Sequence, residues 1–505
     1  MGSSVFPALP QDASATKRGL VNITDQVLKG NKYLSGSFIA NNLETVTTGS
    51  ITSYIATTGN DSTGNGTSGA PYATLQKALD VLPRTNQYSV LINVGIGNFA
   101  GATLDGFKIR STPDISTGYS VLEIRGTLVA VTPAGGTGSG TISGYSAASG
   151  ATPAVVTDSG QAWVVDELKG KFLVLQSGTG YPGSESVPPI LPIVNNTATT
   201  LTVLGPTTAI GATYQIQDEG TWITSAITPP STLGTTGTSL STSAFNFVAC
   251  SGLGLCISRI GIILSSALPR LISTLGNTNL RLIAVKQIVS SGSVVGGILI
   301  DGIGQLRTNQ CVFLSNQQLA VIAVNSSAPV QHNISSSYFD GQGNVSSSAI
   351  SIQQSAGFGI LSCFIRGYTN GITSSRSLGA GVLLSGTKID GTAAASSYGI
   401  RMYQLGSLPM PICGVNTISC DISNCSVAAI SLTVPGASGH LISCSGTGNG
   451  IGIELGQGAS LKVASGVTLT GTTEVSMDNN SSTLTVMRAQ SPKVLTTSYG
   501  TALYE

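Results

Sequence analysis

The sequence predicts an all-β protein, a right-handed parallel β-helix with a short N-terminal capping helix and a small all-β insert. Three observations carry that prediction. The first is a repeat. A small residue followed by a branched aliphatic recurs at Gly297-Ile298, Ala320-Val321, Ala349-Ile350, Gly371-Ile372, Gly399-Ile400, Ala429-Ile430 and Gly450-Ile451, at spacings of 23, 29, 22, 28, 30 and 21 residues. Self-similarity at about 20–30 residues, with short strands and no helix between them, marks a solenoid. Propeller blades are longer, at about 40 residues, and leucine-rich horseshoes need regular Leu and Asn positions. Neither pattern is present.

The second observation is a column. The second strand of each repeat aligns on Cys311, Ser337, Cys363, Thr387, Cys420 and Cys444. Side chains alternate across a strand, so an inward column here puts Phe313, Phe339, Ile365, Ile389 and Ile422 inward as well. A stack of small residues beside a stack of large ones fills a narrow core. The third observation is composition. Charged residues are 9 % of 505, against about 25 % in a typical domain. Gly is 64 of 505, so the surface is wetted by hydroxyls and amides, and few charges oppose association.

The same composition excludes several functions. A net charge of +1 with scattered Lys and Arg argues against nucleic-acid binding. No apolar run spans a bilayer, since the best, residues 252–272, is interrupted by Arg259 and Arg270. Residues 1–19 lack the apolar h-region expected of a signal peptide, and eight cysteines without a CxxC pair read as buried free thiols of a reducing compartment. With only His332 and His440 as histidines, no metal site and no cofactor are expected.

Taken in order, residues 1–50 form an arm and a first segment, in which Lys17-Arg18-Gly19-Leu20-Val21, Gln26, Gly30, Lys32 and Phe38 resemble a short segment of phage tail fibres and other virion proteins. That likeness implies attachment to other virion proteins. Residues 51–126 hold the capping helix and first coils. Leu75, Ala78, Leu79 and Leu82 share one helical face, and Pro83 stops the helix. Such a helix covers the open end of a solenoid, hiding an edge that would otherwise recruit strands. The Gly-Asn-Asp, the Gly/Ser loop and Pro71-Tyr72-Ala73-Thr74-Leu75 resemble the entry to pectin-lyase-like β-helices.

Over 127–218 the period changes to a small all-β insert. Asp158, Trp163, Leu168, Gly170, the run from Asn196 to Val203, and Tyr214 resemble inserts of phage and bacterial surface proteins. The main helix occupies 219–475, and 476–505 form a C-terminal cap.

No GxSxG elbow and no HExxH motif is present. The candidate site is the outward face of the second strands. One column reads Val312, Tyr338, Phe364, Lys388, Asp421, and the next reads Leu314, Asp340, Arg366, Asp390, Ser423. Aromatic faces stack on sugars and acids bind or activate hydroxyls, so Tyr338, Phe364, Arg366, Lys388 and Asp421 are candidate glycan-binding residues. Asp340 and Asp390 are the candidate catalytic pair. They lie two coils apart, roughly 9.6 Å at the backbone, near the roughly 6.5–9.5 Å of inverting glycosidases. The competing reading of the same residues is a structural ladder of charge pairs, with Tyr338 and Phe364 buried at a contact.

As a whole the chain resembles a phage tail spike or tail fibre. Members of that group are typically homotrimers of the virion tail, assembled in the host cytoplasm, that bind and sometimes cleave host surface polysaccharide. The resemblance implies those partners here. A purely structural virion component is the alternative. Only Trp163 and Trp222 are tryptophans, and no acidic, Trp-rich cleft is evident.

Overall fold

The computed structural model describes residues 46–109, 122–176, 189–205, 210–226, 242–248, 250–252, 254–275, 279–289, 297–301, 305–314, 320–325, 331–352, 357–374, 381–392, 394, 397–403, 414–456, 458–464, 466–486 and 499–504. The segment 15–45, with its virion-attachment likeness, lies outside them.

The fold is a right-handed parallel β-solenoid of about 11 coils. Each coil contributes strands to three stacked faces. On the first, Leu255–Ser258 pairs with Asn279–Ile283, and so on through Gln305–Asn309, Gln331–Ser335 and Gly357–Leu361 to Ser438–Ile442 and Ser460–Val463. Thr483–Val486 and Tyr499–Tyr504 extend it. The second face contains Gly261–Leu264, Lys286–Val289 and Val312–Leu314, then the residues from Tyr338, Phe364, Lys388 and Asp421. The third is marked by an aliphatic column: Ile272, Ile298, Ile322, Ile350, Ile372, Ile400, Ile430 and Ile453 pair in sequence.

That column corrects the repeat frame at two coils. Ile322, not Val321, and Ile453, not Ile451, occupy it. Both segments offer adjacent or alternating aliphatics, AVIAV and GIGIEL, so the dipeptide alone does not fix the phase.

The expected inward columns are inside. Cys311, Ser337, Cys363, Thr387, Cys420 and Cys444 are all buried, as are Phe313, Phe339, Ile365, Ile389 and Ile422. Phe313 and Phe339 stack at 4.8 Å between ring centroids. His332 belongs to the same core: its ring stacks on Phe358 and its Nδ1 accepts from the Leu306 amide at 3.0 Å. Burial lowers its pKa to about 4, so it is neutral and structural.

Between the first and second faces each coil turns a tight corner on one left-handed residue. Arg259, Ala284, Gln310, Ser336, Ser362, Gly386, Ser419 and Ser443 all have φ between 46° and 58°. From Arg259 to Ser419 each corner amide still joins the inter-coil ladder, as Gln310 N–H does to the Ser335 carbonyl at 3.2 Å and Ser336 N–H to Leu361 at 2.9 Å. The hydrogen bonds so gained hold non-glycine residues in a conformation that costs roughly 1–2 kcal/mol.

At the N-terminal end the helix Leu75–Asp80 buries Leu75, Ala78 and Leu79, with Leu82 just beyond it. Thr74 caps it by accepting from the Lys77 amide. Asp61 of the Gly-rich loop accepts from the Ala73 amide at 2.8 Å and from the Thr74 hydroxyl at 2.6 Å, fixing the helix start.

The insert leaves the solenoid at the equivalent point of an earlier coil, between its first and second faces. After Leu122–Arg125 the chain departs at Gly126-Thr127 and returns at Gly220-Thr221. The two ends are clamped, with Gly220 N–H donating to Thr127 O at 2.8 Å and Thr127 N–H to the Thr221 hydroxyl at 2.8 Å. Among the described residues, eight antiparallel strands between Leu128 and Glu219 form it. Its own core holds Trp163, Leu168, Leu173, Leu191, Ile193, Leu201 and Tyr214. The residues that carried its family likeness are its polar staples. Tyr214 donates to Asp158 at 2.8 Å, Trp163 Nε1 to Thr137 O at 3.0 Å, and Asn196 Oδ1 accepts from the Leu168 amide at 2.9 Å.

Candidate functional site

The outward ladder forms in the expected register. Val312, Tyr338, Phe364, Lys388 and Asp421 pair coil to coil, and so do Leu314, Asp340, Arg366, Asp390 and Ser423. Its surroundings differ from an open groove, because the insert folds back over its upper half.

The reason is alternation inside the insert. Phe172–Leu175 and Ile190–Asn196 are apolar on both faces. Leu173, Leu175, Leu191 and Ile193 face the insert's own core, while Phe172, Val174, Ile190 and Val194 face the solenoid. There they meet Val312, Tyr338 and Phe364. Gly170 brings the backbone close: at φ 76°, a Cβ on it would lie 3.1 Å from Leu314. Tyr338 is therefore fully buried and Phe364 nearly so, their rings stacked at 5.8 Å.

Two charge clusters flank this seam. In the first, Asp340 is 2 % exposed. One oxygen pairs with Lys169 of the insert and accepts from Tyr338 Oη at 2.8 Å and Arg366 Nε at 3.1 Å; the other accepts from the Gln342 amide at 2.9 Å. Burial raises the Asp340 pKa, but the Lys169 hydrogen bond and the Arg366 charge outweigh it and hold the carboxyl below its ordinary value. In the second, Lys286 of the solenoid pairs with Asp218 and lies 3.5 Å from Glu219, while Lys171 lies 3.5 Å from Asp218. Burial pushes Glu219 well up, against the nearby Lys286 charge. Burial also pushes Asp218 up, but its hydrogen bond with Glu219 and the Lys286 charge prevail, bringing it down to about 2.

Below the insert's edge the ladder is open. Arg366, Lys388, Asp390 and Asp421 are half-buried. Lys388 pairs with Asp421 at 3.2 Å and approaches the Phe364 ring at 6.0 Å. Asp390 accepts from the Thr392 amide at 3.0 Å, from the Thr392 hydroxyl, and from Asn424 Nδ2 at 3.0 Å. Burial raises its pKa, but these hydrogen bonds and Lys388 bring it below the ordinary value.

Asp340 and Asp390 are thus both biased toward the ionised state, with Arg366 between them. An inverting pair needs one carboxyl kept protonated to serve as the acid. Asp340 lies buried beneath the insert with both oxygens hydrogen-bonded, whereas Asp390 is half-buried on the open part of the ladder. Among the described residues no group of His, Cys, Asp and Glu could hold a metal.

Lys169, Lys171, Asp218, Glu219 and Lys286 escaped the sequence reading. Their signal was a Lys-Gly-Lys in the middle of the insert and an Asp-Glu at its end, in a chain with few charges.

Fold and site together define a β-solenoid that carries a small β module locked onto its second face. No protein-family model and no curated protein sequence matches the chain. Among solved structures it is similar to a GH136 lacto-N-biosidase from Eubacterium ramulus, at 10 % identity over 90 % of this chain and 67 % of that one, TM-score 0.35. It is also similar to the tailspike protein gp49 from Pseudomonas phage LKA1, at 11 % identity over 90 % and 71 %, TM-score 0.26. A third is the Gp54 tailspike of Acinetobacter baumannii bacteriophage AP22 in complex with A. baumannii capsular saccharide, at 9 % identity over 82 % and 71 %, TM-score 0.22. Likenesses at these values carry no argument about activity.

Proposed function

We propose that the chain is a tail spike or tail fibre protein of a virion, a homotrimer that attaches to the host by binding cell-surface glycan rather than cleaving it. The observation that carries the proposal is the open half of the ladder. Arg366, Lys388, Asp390 and Asp421 present half-buried, oriented charges and hydrogen-bonding groups on rigid strands, with Phe364 at their upper edge. Such groups bind hydroxyls without needing to move, which limits the entropy lost on association. The ionised state favoured for Asp390 suits an acceptor for sugar hydroxyls and not a proton donor.

A purely structural virion component is the second reading, favoured by the burial of Tyr338, Phe364 and Asp340 under the insert. Binding of the intact protein to purified capsular and O-antigen polysaccharides separates the two. Asp390→Asn and Lys388→Ala are expected to weaken binding while sedimentation still shows a trimer. Loss of binding only together with assembly would favour the structural role, and a monomer at micromolar concentration would count against both.

A further inference from the structure

The third face of the solenoid carries a cluster that the ladder does not use. In the coil containing Lys388–Asp390, the strand Tyr398–Met402 follows on that face. Ile400 and Met402 point into the core and are buried, so Arg401 points out, with Tyr398 and Tyr403 beside it. The Arg401 guanidinium carbon lies 4.3 Å from the centroid of Tyr398 and 4.6 Å from that of Tyr403. Its immediate neighbours in the row are small, Thr373 on one side and Ser431 on the other, with Ser351 beyond Thr373 and Glu454 beyond Ser431.

Two rings holding one guanidinium use its face and leave its edge. Cation–π contact engages the flat side of the group, whereas hydrogen bonds leave in its plane. Among the described residues Arg401 makes no ion pair and no hydrogen bond. The acidic residue in its own row is Glu454, two coils on and roughly 9.6 Å away at the backbone. The cation is thus held in place by groups that do not neutralise it. A fixed planar fork with unused donors matches a carboxylate, which it can grip through two parallel hydrogen bonds.

We infer that Arg401, held by Tyr398 and Tyr403, is a subsite for a carboxylate-bearing sugar, so that the glycan bound is an acidic one. This rests on the glycan-binding reading above and gives it a substrate class. The subsite is separate from Lys388 and Asp390, which lie on the neighbouring face of the same coil.

The test uses the full-length protein on an array of purified bacterial surface polysaccharides, some containing uronic or other sugar acids and some neutral. Acidic polysaccharides are expected to bind, and to lose binding once their carboxyl groups are chemically reduced to alcohols. Arg401→Gln is expected to weaken that binding about ten- to hundredfold, the loss of one charge-assisted pair. Arg401→Lys, which keeps the charge without the fork, should recover only part of it. Circular dichroism and sedimentation identical to wild type keep either variant interpretable. Binding confined to neutral polysaccharides, or unchanged in Arg401→Gln, overturns the subsite and leaves glycan binding standing. No binding to any polysaccharide overturns the glycan reading itself, and the subsite with it.

Discussion

Replacing Asp340 with Asn separates the two forces that hold the insert on the solenoid. The substitution keeps the volume, but its single carbonyl oxygen can accept from the Gln342 amide or from Tyr338, not from both, and it removes the charge that pairs with Lys169 and Arg366. Breaking a buried pair costs about 3–5 kcal/mol when the stranded partner stays buried. Here the partners are 24 % and 35 % exposed and regain water, which places the cost lower, at about 1–3 kcal/mol. The apolar seam is larger. Phe172, Val174, Ile190, Val194 and Leu204 each contribute roughly 1.5–3 kcal/mol, together about 8–15 kcal/mol as an upper bound. Asp340→Asn should therefore loosen the insert without freeing it, while Phe172→Ala should cost about 3–5 kcal/mol. Hydrogen–deuterium exchange reads both, through the amides of Phe172–Leu175 and Ile190–Asn196. Exchange in Asp340→Asn as fast as in Phe172→Ala would refute the ordering, and show that charge, not the apolar seam, holds the module.

Three further outcomes follow from the same geometry. Asp340 and Asp218 have depressed pKa values, so the contribution of each is complete above the ordinary carboxylate value of about 3.9 and is lost as pH falls through its lowered folded value, about 2 for Asp218. Glu219 is shifted the other way and adds stability as it protonates above its ordinary value; protection of the insert amides should still hold from pH 7 to about 5 and weaken below about 4, and a loss of protection centred near pH 6 would contradict the assignment. The column thiols Cys311, Cys363, Cys420 and Cys444 should fail to react with Ellman's reagent in the native protein and react fully in denaturant; rapid native labelling would mean the column faces solvent. At the corners, Gly386→Val should destabilise by about 1–2 kcal/mol in urea titration, whereas Ser336→Gly, at the matching left-handed position, should cost far less.

Much of this fold was legible because a solenoid repeats its reasons. Cys311, Cys363, Cys420 and Cys444 each occupy the position where a small, soft side chain fits beside Phe313, Ile365 or Ile422, so one column fixed the register of its neighbours. The frame slipped only at Ile322 and Ile453, where the local sequence offers two phases. The corners were harder to read, since Arg259, Ala284, Gln310 and Ser336 share a left-handed backbone but no side-chain chemistry. What imposes that conformation is the hydrogen bond to the next coil, which a linear sequence does not display.

The roof over the ladder shows the same limit at longer range. Val312, Tyr338 and Phe364 were legible as outward apolar residues, and that alone required a cover. The cover's identity was written in the parity of two other strands. Phe172–Leu175 and residues 190–194 are apolar at consecutive positions, which a module with one core does not need. Strands apolar on both sides must be buried on both sides, and the only uncovered apolar stripe read elsewhere in the chain was this ladder. Joining the two would have placed Lys169 and Lys171, which precede Phe172, against Asp340 and Asp218. It would also have confined the search for a ligand to the part of the ladder that Phe172 and Ile190 do not reach, where Lys388, Asp390 and Asp421 remain open to solvent.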